Sequence, residues 1–173
     1  MPVTSPSRRA FLASAAFAGA GTALASPSAA KTVGSDYQFE VTHTDEEWFE
    51  RLTPEQYEIL RQNGTEWPKS SPLWNDYRAG EFHCQGCGLH VYRSEWRVEL
   101  DKGWVFFAHA VPNAVMMDID KAANYTMNPS NARTMIEVHC RRCGSHLGHL
   151  LRVDGHLVHC INGAALDFRP ANT

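Results

Sequence analysis

The stretch RTMIEVHCRRCGSHLGHLLRVDGHLVHCI, residues 133–161, decides how this chain folds. It holds three β-rich runs, RTMIEVHC (133–140), HLGHLLRV (146–153) and HLVHCI (156–161), separated by the turn signals CRRCG and VDGH. Turns this short join antiparallel neighbours, because a parallel crossover needs a dozen or more residues. Folding back at VDGH lays HLGH beside the last run, where His146 and His149 can converge on Cys160.

Outward from this stretch the same texture continues. EFHC (81–84), LHVYRS (89–94) and WVFFAHAV (104–111) are further short β-rich runs bounded by turns, and no βαβ alternation is visible. The fold class expected is mainly β: an antiparallel β domain with helices at its N-terminal side. THTDEEWFERL places Trp48, Phe49 and Leu52 on one helical face behind a Thr/Asp start. TPEQYEILRQNG follows with Thr53 as N-cap, Pro54 at the first helical position, Gln56 as capping-box partner and Gly64 as the stop. Ile59 and Leu60 are expected to face the sheet. Residues 112–132 read as a loop.

The 173 residues are 43% hydrophobic and 20% charged, enough for one domain with a real core. A formal charge of −3 and no basic stripe argue against nucleic acid as a partner. Residues 1–30 have another character: Arg8 and Arg9, a short Ala/Gly/Phe/Leu stretch, then small residues. That is the form of a signal peptide, too short and glycine-diluted to remain as a membrane anchor. Ser7-Arg8-Arg9-Ala10-Phe11-Leu12 resembles the twin-arginine export signal, which implies a bacterial periplasmic destination. Residues 31–43 are expected to be a linker, and residues 44–170 the domain.

Cys84 and Cys87 in CQGCG, and Cys140 and Cys143 in CRRCG, form two C-x-x-C-G units. Each tight turn can present two sulfurs to one ion, and the glycines that follow, Gly88 and Gly144, suit a backbone turning with positive φ. Together they make the closed four-sulfur set that holds structural Zn2+, one ion per chain. Two disulfides are the rival reading for an exported chain, although such short-loop disulfides are usually strained or redox-active. Export of a folded protein would let the metal be loaded beforehand.

Cys160 is then the one cysteine left over. A buried cysteine is commonly inert core, but a nearby imidazole can lower a thiol pKa or deliver a proton to a leaving oxygen. Asn162, two residues on, shares its strand face by alternation.

RTMIEVHCRRCGSHLGHLLRVDG followed by HCINGAALDF resembles the methionine sulfoxide reductase B family, whose members reduce the R epimer of peptide methionine sulfoxide. LTPEQYEILRQNGTE, CQGCG and the GW..F pattern at Gly103, Trp104 and Phe107 support the likeness, which spans about residues 44–170. The resemblance implies the family's β-tent fold with a zinc clamp on the far side from the catalytic site. It implies Cys160 as nucleophile, His146 and His149 as the active-site histidines, and Asn162 as the active-site asparagine. Trp104, with Phe107, would pack on the substrate methyl group. A thiolate attacks sulfur, an imidazolium protonates oxygen, and Cys160 is left as sulfenic acid for a thiol to reduce.

The chain departs from the family pattern near the site. GWVFF stands where the family usually has GWPSF, the family's arginine two before the nucleophile is Val158, and the loop from Asp154 to Cys160 is shorter. His156, rather than His159, is the candidate to replace that arginine. Lys102 stands where some members carry a resolving cysteine, so recycling falls to an external thiol such as a thioredoxin-like protein. Two other functions stay open on sequence alone: a non-catalytic zinc-clamped module binding a ligand against Trp104, Phe106 and Phe107, and disulfide exchange through the C-x-x-C pairs.

Overall fold

Eight strands in two antiparallel sheets and two short helices make up the structure, a computed structural model that describes residues 37–120 and 135–171. The expected signal peptide therefore lies outside the described residues, as does most of the stretch read as a loop.

The helices form where the local chemistry asks for them. Helix α1 (Asp45–Arg51) is capped by Thr44 Oγ1, which accepts from the Glu47 N–H at 3.2 Å, while the Glu47 carboxylate accepts from the Thr44 N–H. Helix α2 (Pro54–Gln62) repeats this reciprocal cap with Thr53 and Gln56. Trp48, Ile59 and Leu60 are buried as expected, but Phe49 is not: it is 58% exposed and meets Tyr57 edge-on. The end of α2 also differs, since Asn63, at φ 57°, takes the left-handed cap position ahead of Gly64.

Strands β1 (Gly80–Cys84), β2 (His90–Arg93) and β8 (Leu166–Pro170) form a small sheet in the order β2-β1-β8. Strands β3 (Val105–Phe107), β4 (Val115–Asp120), β5 (Met135–Cys140), β6 (His146–Val153) and β7 (His156–Ile161) form the larger one, ordered β3-β7-β6-β5-β4. The expectation of a mainly β, antiparallel domain holds. Two strands were not foreseen. Residues 115–120 pair with β5 rather than looping, and LDFRP closes the small sheet beside β1.

One apolar core lies between the sheets. Phe82, Val91 and Tyr92 enter from the small sheet, Phe107, Val138, Leu147 and Ile161 from the large one, and Trp48, Ile59 and Leu60 from the helices. Tyr92 stacks on Phe107 at 4.2 Å. Burying one such ring contributes about 2 kcal/mol. The opposite face of the β5–β6–β7 meander carries Glu137, His149 and Cys160, which is where chemistry can be placed. Within the stretch read as linker, the Val41 N–H donates to Arg142 O and Tyr37 Oη to Arg141 O, so residues 37–41 lie against the turn after β5.

Candidate active site and metal centre

Cys84 and Cys140 end β1 and β5, and Cys87 and Cys143 sit in the turns that follow. All five cysteines of the chain are free thiols, and the four knuckle sulfurs lie within 4.8 Å of one another. The Cys84–Cys143 and Cys87–Cys140 sulfurs are 3.7 and 3.5 Å apart. A tetrahedron with metal–sulfur bonds of about 2.3 Å needs neighbouring sulfurs about 3.8 Å apart, so the cluster fits a four-thiolate metal centre. Both following glycines have positive φ, 72° at Gly88 and 68° at Gly144, and their N–H groups donate back to Cys84 O and Cys140 O. The centre joins the small sheet to the large one. Arg61 of α2 adds a third element, donating to Cys143 O and to Ser145 Oγ at 3.3 Å each.

Three residues beyond Cys143 begins the second cluster. His146 and His149 are an odd number of residues apart, so in a regular strand they would point to opposite faces. They do not. Register along β5 and β6 shifts between Val138, which faces Gly148, and His139, which faces His146, so β6 spends one extra residue there. This bulge sends Leu147 into the core and turns both histidines to one face, with ring centroids 5.1 Å apart. The carbonyl of Leu147 accepts from the Asn162 N–H at 2.9 Å and from Asn162 Nδ2 at 3.2 Å.

Cys160 lies directly opposite His149 on one side and Phe106 on the other, so the three side chains share a face. Gly148 permits the close approach of β6 to β7: a Cβ there would fall 2.1 Å from Cys160 O. Each histidine has a buried acid. His146 Nδ1 is 2.8 Å from Glu137 Oε1, which also accepts from Asn63 Nδ2 at 3.0 Å, and His149 Nε2 is 3.1 Å from Asp120 Oδ2. Burial pushes Glu137 upward, but the His146 bond and charge prevail and hold it below the usual carboxylate range. Burial pulls His149 down, against the opposing pull of Asp120. His146 Nε2 is buried and has no hydrogen-bond partner among the described residues.

The thiol itself is not an activated thiolate. Burial pushes Cys160 up to about 12, and the Glu66 charge adds to the effect. Glu66 is held by the N–H groups of Gly163 and Ala164 at 2.7 and 2.8 Å, while its own N–H donates to Asn162 Oδ1.

The SelR domain family matches residues 52–170 of this chain. The chain belongs to the SelR family. It is 40% identical over 139 residues to the peptide methionine sulfoxide reductase MsrB of Leifsonia xyli subsp. xyli, covering 77% of this chain and 94% of that protein. It is 35% identical over 147 residues to peptide methionine sulfoxide reductase B3 of Arabidopsis thaliana, covering 82% and 78% of the two chains. Among solved structures, the Mis18 Yippee-like domain superposes with a TM-score of 0.45 at 16% identity, over 56% of this chain and all of that one.

Of the residues expected at the site, Cys160 and His149 face each other across the strands, and the His146 ring meets that of His149. Asn162 braces the segment beside Cys160, its side-chain amide donating to Leu147 O and accepting from the Glu66 N–H. Phe107 is a correction: it faces His159 across the strands and lies in the core, so Phe106, opposite Cys160, takes the place expected for it. Trp104 precedes β3 by one residue, half-buried, and its Nε1 has no partner among the described residues. His159 does face away from the site, bonded to Tyr92 Oη at 3.0 Å. His156 is exposed and four residues from Cys160, about 13 Å along a strand, too far to replace the arginine. Val158, in that arginine's position, is buried against Leu151. Lys102 pairs with Asp154 at 3.0 Å.

Sequence reading missed Glu137, Asp120 and Glu66, and named Phe106 only as part of the wall of the alternative ligand-binding module. Glu137 did leave a signal, a carboxylate inside an apolar strand run, where a charge needs a buried partner. Glu66 left none, because its partners are backbone groups about a hundred residues away.

Two measurements check this site. Stripping metal from the purified protein with a strong chelator is expected to lower Tm by on the order of ten degrees or more, and metal analysis should return one zinc per chain; an unchanged Tm would contradict the clamp. The raised Cys160 pKa favours the fold while the thiol is neutral, a contribution complete below about pH 8.5 and lost as pH rises toward 12. Iodoacetamide labelling of Cys160 should therefore keep accelerating above about pH 9, where an ordinary thiol levels off. A plateau near neutrality would contradict the raised value.

Proposed function

We propose that this chain reduces the R epimer of methionine sulfoxide to methionine, with Cys160 as the sulfur nucleophile. The observation that carries this reading is the bulge-made cluster in which Cys160 faces His149 across the strands and the His149 ring meets that of His146, each imidazole backed by its own buried carboxylate. The family's activity supports it from outside the structure.

The chemistry balances with the thiol protonated at rest. Sulfoxide oxygen leaves as hydroxide equivalent only if a proton reaches it, and the thiol of Cys160 carries one. Cys160 Sγ attacks, the sulfoxide S–O bond breaks, and the products are methionine and a Cys160 sulfenic acid that now holds the oxygen and the proton. The substrate sulfur gains the two electrons that Cys160 loses. His146 is the proton carrier in this scheme. Glu137 occupies its Nδ1, which fixes the ring's orientation and leaves Nε2 facing the site. Asp120 orients His149 in the same way. Trp104 and Phe106 supply the apolar wall for the methyl group and limit water at the attacked sulfur.

Return to the thiol requires two external thiols, which leave as a disulfide with one water. The four knuckle cysteines are held together elsewhere and Lys102 offers no sulfur, so a thioredoxin-like protein suits the task. The four knuckle cysteines would hold Zn2+, which would serve as a cross-link, because four sulfurs leave no coordination position for substrate. Export through the twin-arginine-like leader would place the enzyme in the periplasm, among proteins open to oxidation.

Steady-state reduction of racemic methionine sulfoxide with dithiothreitol tests the reading. Wild type should consume one epimer only, Cys160→Ser should lose activity by at least about a thousandfold, and His146→Gln should fall about a hundredfold. Equal rates in wild type and Cys160→Ser would exclude this thiol.

A further inference from the structure

The small sheet carries a set of donors that neither the sulfur cluster nor the thiol site uses. Glu81 and His83 share one face of β1 by alternation. Register with β2 shifts between Phe82, which faces Tyr92, and His83, which faces His90, so β2 spends one extra residue, Val91, which is buried in the core. The shift brings His90 beside His83, with the rings stacked at 5.0 Å and 21° apart in plane. Both rings face the same carboxylate oxygen: His83 Nε2 lies 3.1 Å and His90 Nδ1 3.9 Å from Glu81 Oε2.

The other ring nitrogens decide what these contacts are. His83 Nδ1 is 3.0 Å from Gly88 O, and His90 Nε2 is 3.0 Å from Tyr92 O. A carbonyl only accepts, so those two nitrogens carry the N–H groups. In the neutral rings, His83 Nε2 and His90 Nδ1 are then bare lone pairs aimed at an anionic oxygen, an arrangement that needs a cation between them. A proton on one ring satisfies one contact, and protons on both would put like charges in stacked rings. A divalent ion satisfies all three donors at once. An imidazole whose far N–H is fixed by a carbonyl is the usual form of a metal ligand. An ion with bonds of about 2.0–2.1 Å holds neighbouring donors about 3.0–3.4 Å apart. Glu81 and His83 are already spaced for one, and His90 has to close by less than about 1 Å. The side chains of His90 and Glu81 are 22% and 51% exposed, which leaves room for that movement and for water to complete the coordination. Arg93 and Arg169 stand opposite Glu81 on its two sides, but Arg93 lies over the Trp96 ring and Arg169 pairs with Asp167. Their charges keep this site weaker than the sulfur cluster.

We propose that Glu81, His83 and His90 form a second metal site, for a divalent ion of the Zn2+, Ni2+ and Cu2+ class, that staples β1 to β2 at the base of the turn from Cys84 to Gly88. A donor set of two imidazoles and a carboxylate suits that class, with Cu2+ held most tightly. The proposal does not depend on the reductase reading. Its test is calorimetric titration of Ni2+ into the zinc-loaded, untagged, full-length chain, because Ni2+ does not oxidise the Cys160 thiol as Cu2+ does. The result expected is one Ni2+ per chain at a Kd of about 1–10 μM. Binding should weaken at least about tenfold in His90→Gln and in Glu81→Gln, and stay unchanged in His109→Gln. Zinc content and Tm of the variants should match wild type. No saturable binding by wild type, or equal binding by wild type and both site variants, would overturn the proposal. Should a variant lose its zinc, NMR of wild type decides. Ni2+ broadening the ring signals of His83 and His90 first upholds the site, and broadening of other histidines first overturns it.

Discussion

Two histidines three apart on a strand belong on opposite faces, and the site exists because one extra residue in β6 cancels that parity. The bulge at Leu147 puts His146 and His149 beside each other and costs the strand a ladder partner. On the other edge of β6, Asn162 holds the Leu147 carbonyl with both its backbone and side-chain N–H groups. Gly148, next in the chain, lets β7 come close enough for Cys160 to face His149. The four residues of HLGH and the asparagine after CI therefore act as one device.

The four-cysteine cluster fixes the other end of the same hairpin. Cys140 closes β5, Cys143 sits three residues before His146, and the Cys140 N–H donates to Ser145 O. Four sulfurs converging there set where β6 begins, and hence which residue the bulge displaces. Without a cross-link the short β5–β6 turn would keep its hydrogen bonds to α2 through Arg61 and to the turn after β1 through Arg142, but the two cysteine pairs would lose their common anchor.

Much of this was legible in the residues. The C-x-x-C-G pairs, the capping box of α2 and the three-strand meander follow from local chemistry, and each has its expected place; the α1 box at Thr44 and Glu47 was seen only in the structure. What escaped reading was set at long range. The convergence of HLGH on Cys160 was anticipated, but a regular antiparallel pair would not have produced it. WVFF contains no alternation, so only pairing with β7 could tell that Phe106 faces the thiol and Phe107 the core. The edge strand at 115–120 follows a Pro-Asn turn and carries two aspartates, one of which holds His149. Phe49 continued an apolar pattern around α1 farther than the core extends.

The thiol, raised rather than lowered, changes the chemical picture without removing it. A nucleophile that keeps its proton until substrate arrives resists adventitious oxidation and brings the proton the leaving oxygen needs. The most direct measurement is a single turnover in the absence of reductant: zinc-loaded protein, excess peptide methionine sulfoxide, then a sulfenic-acid trap and peptide mapping. The account predicts one equivalent of methionine per chain and the trap bound at Cys160 alone. Methionine formed without modification of Cys160, or a trap bound instead at a knuckle cysteine, would contradict it.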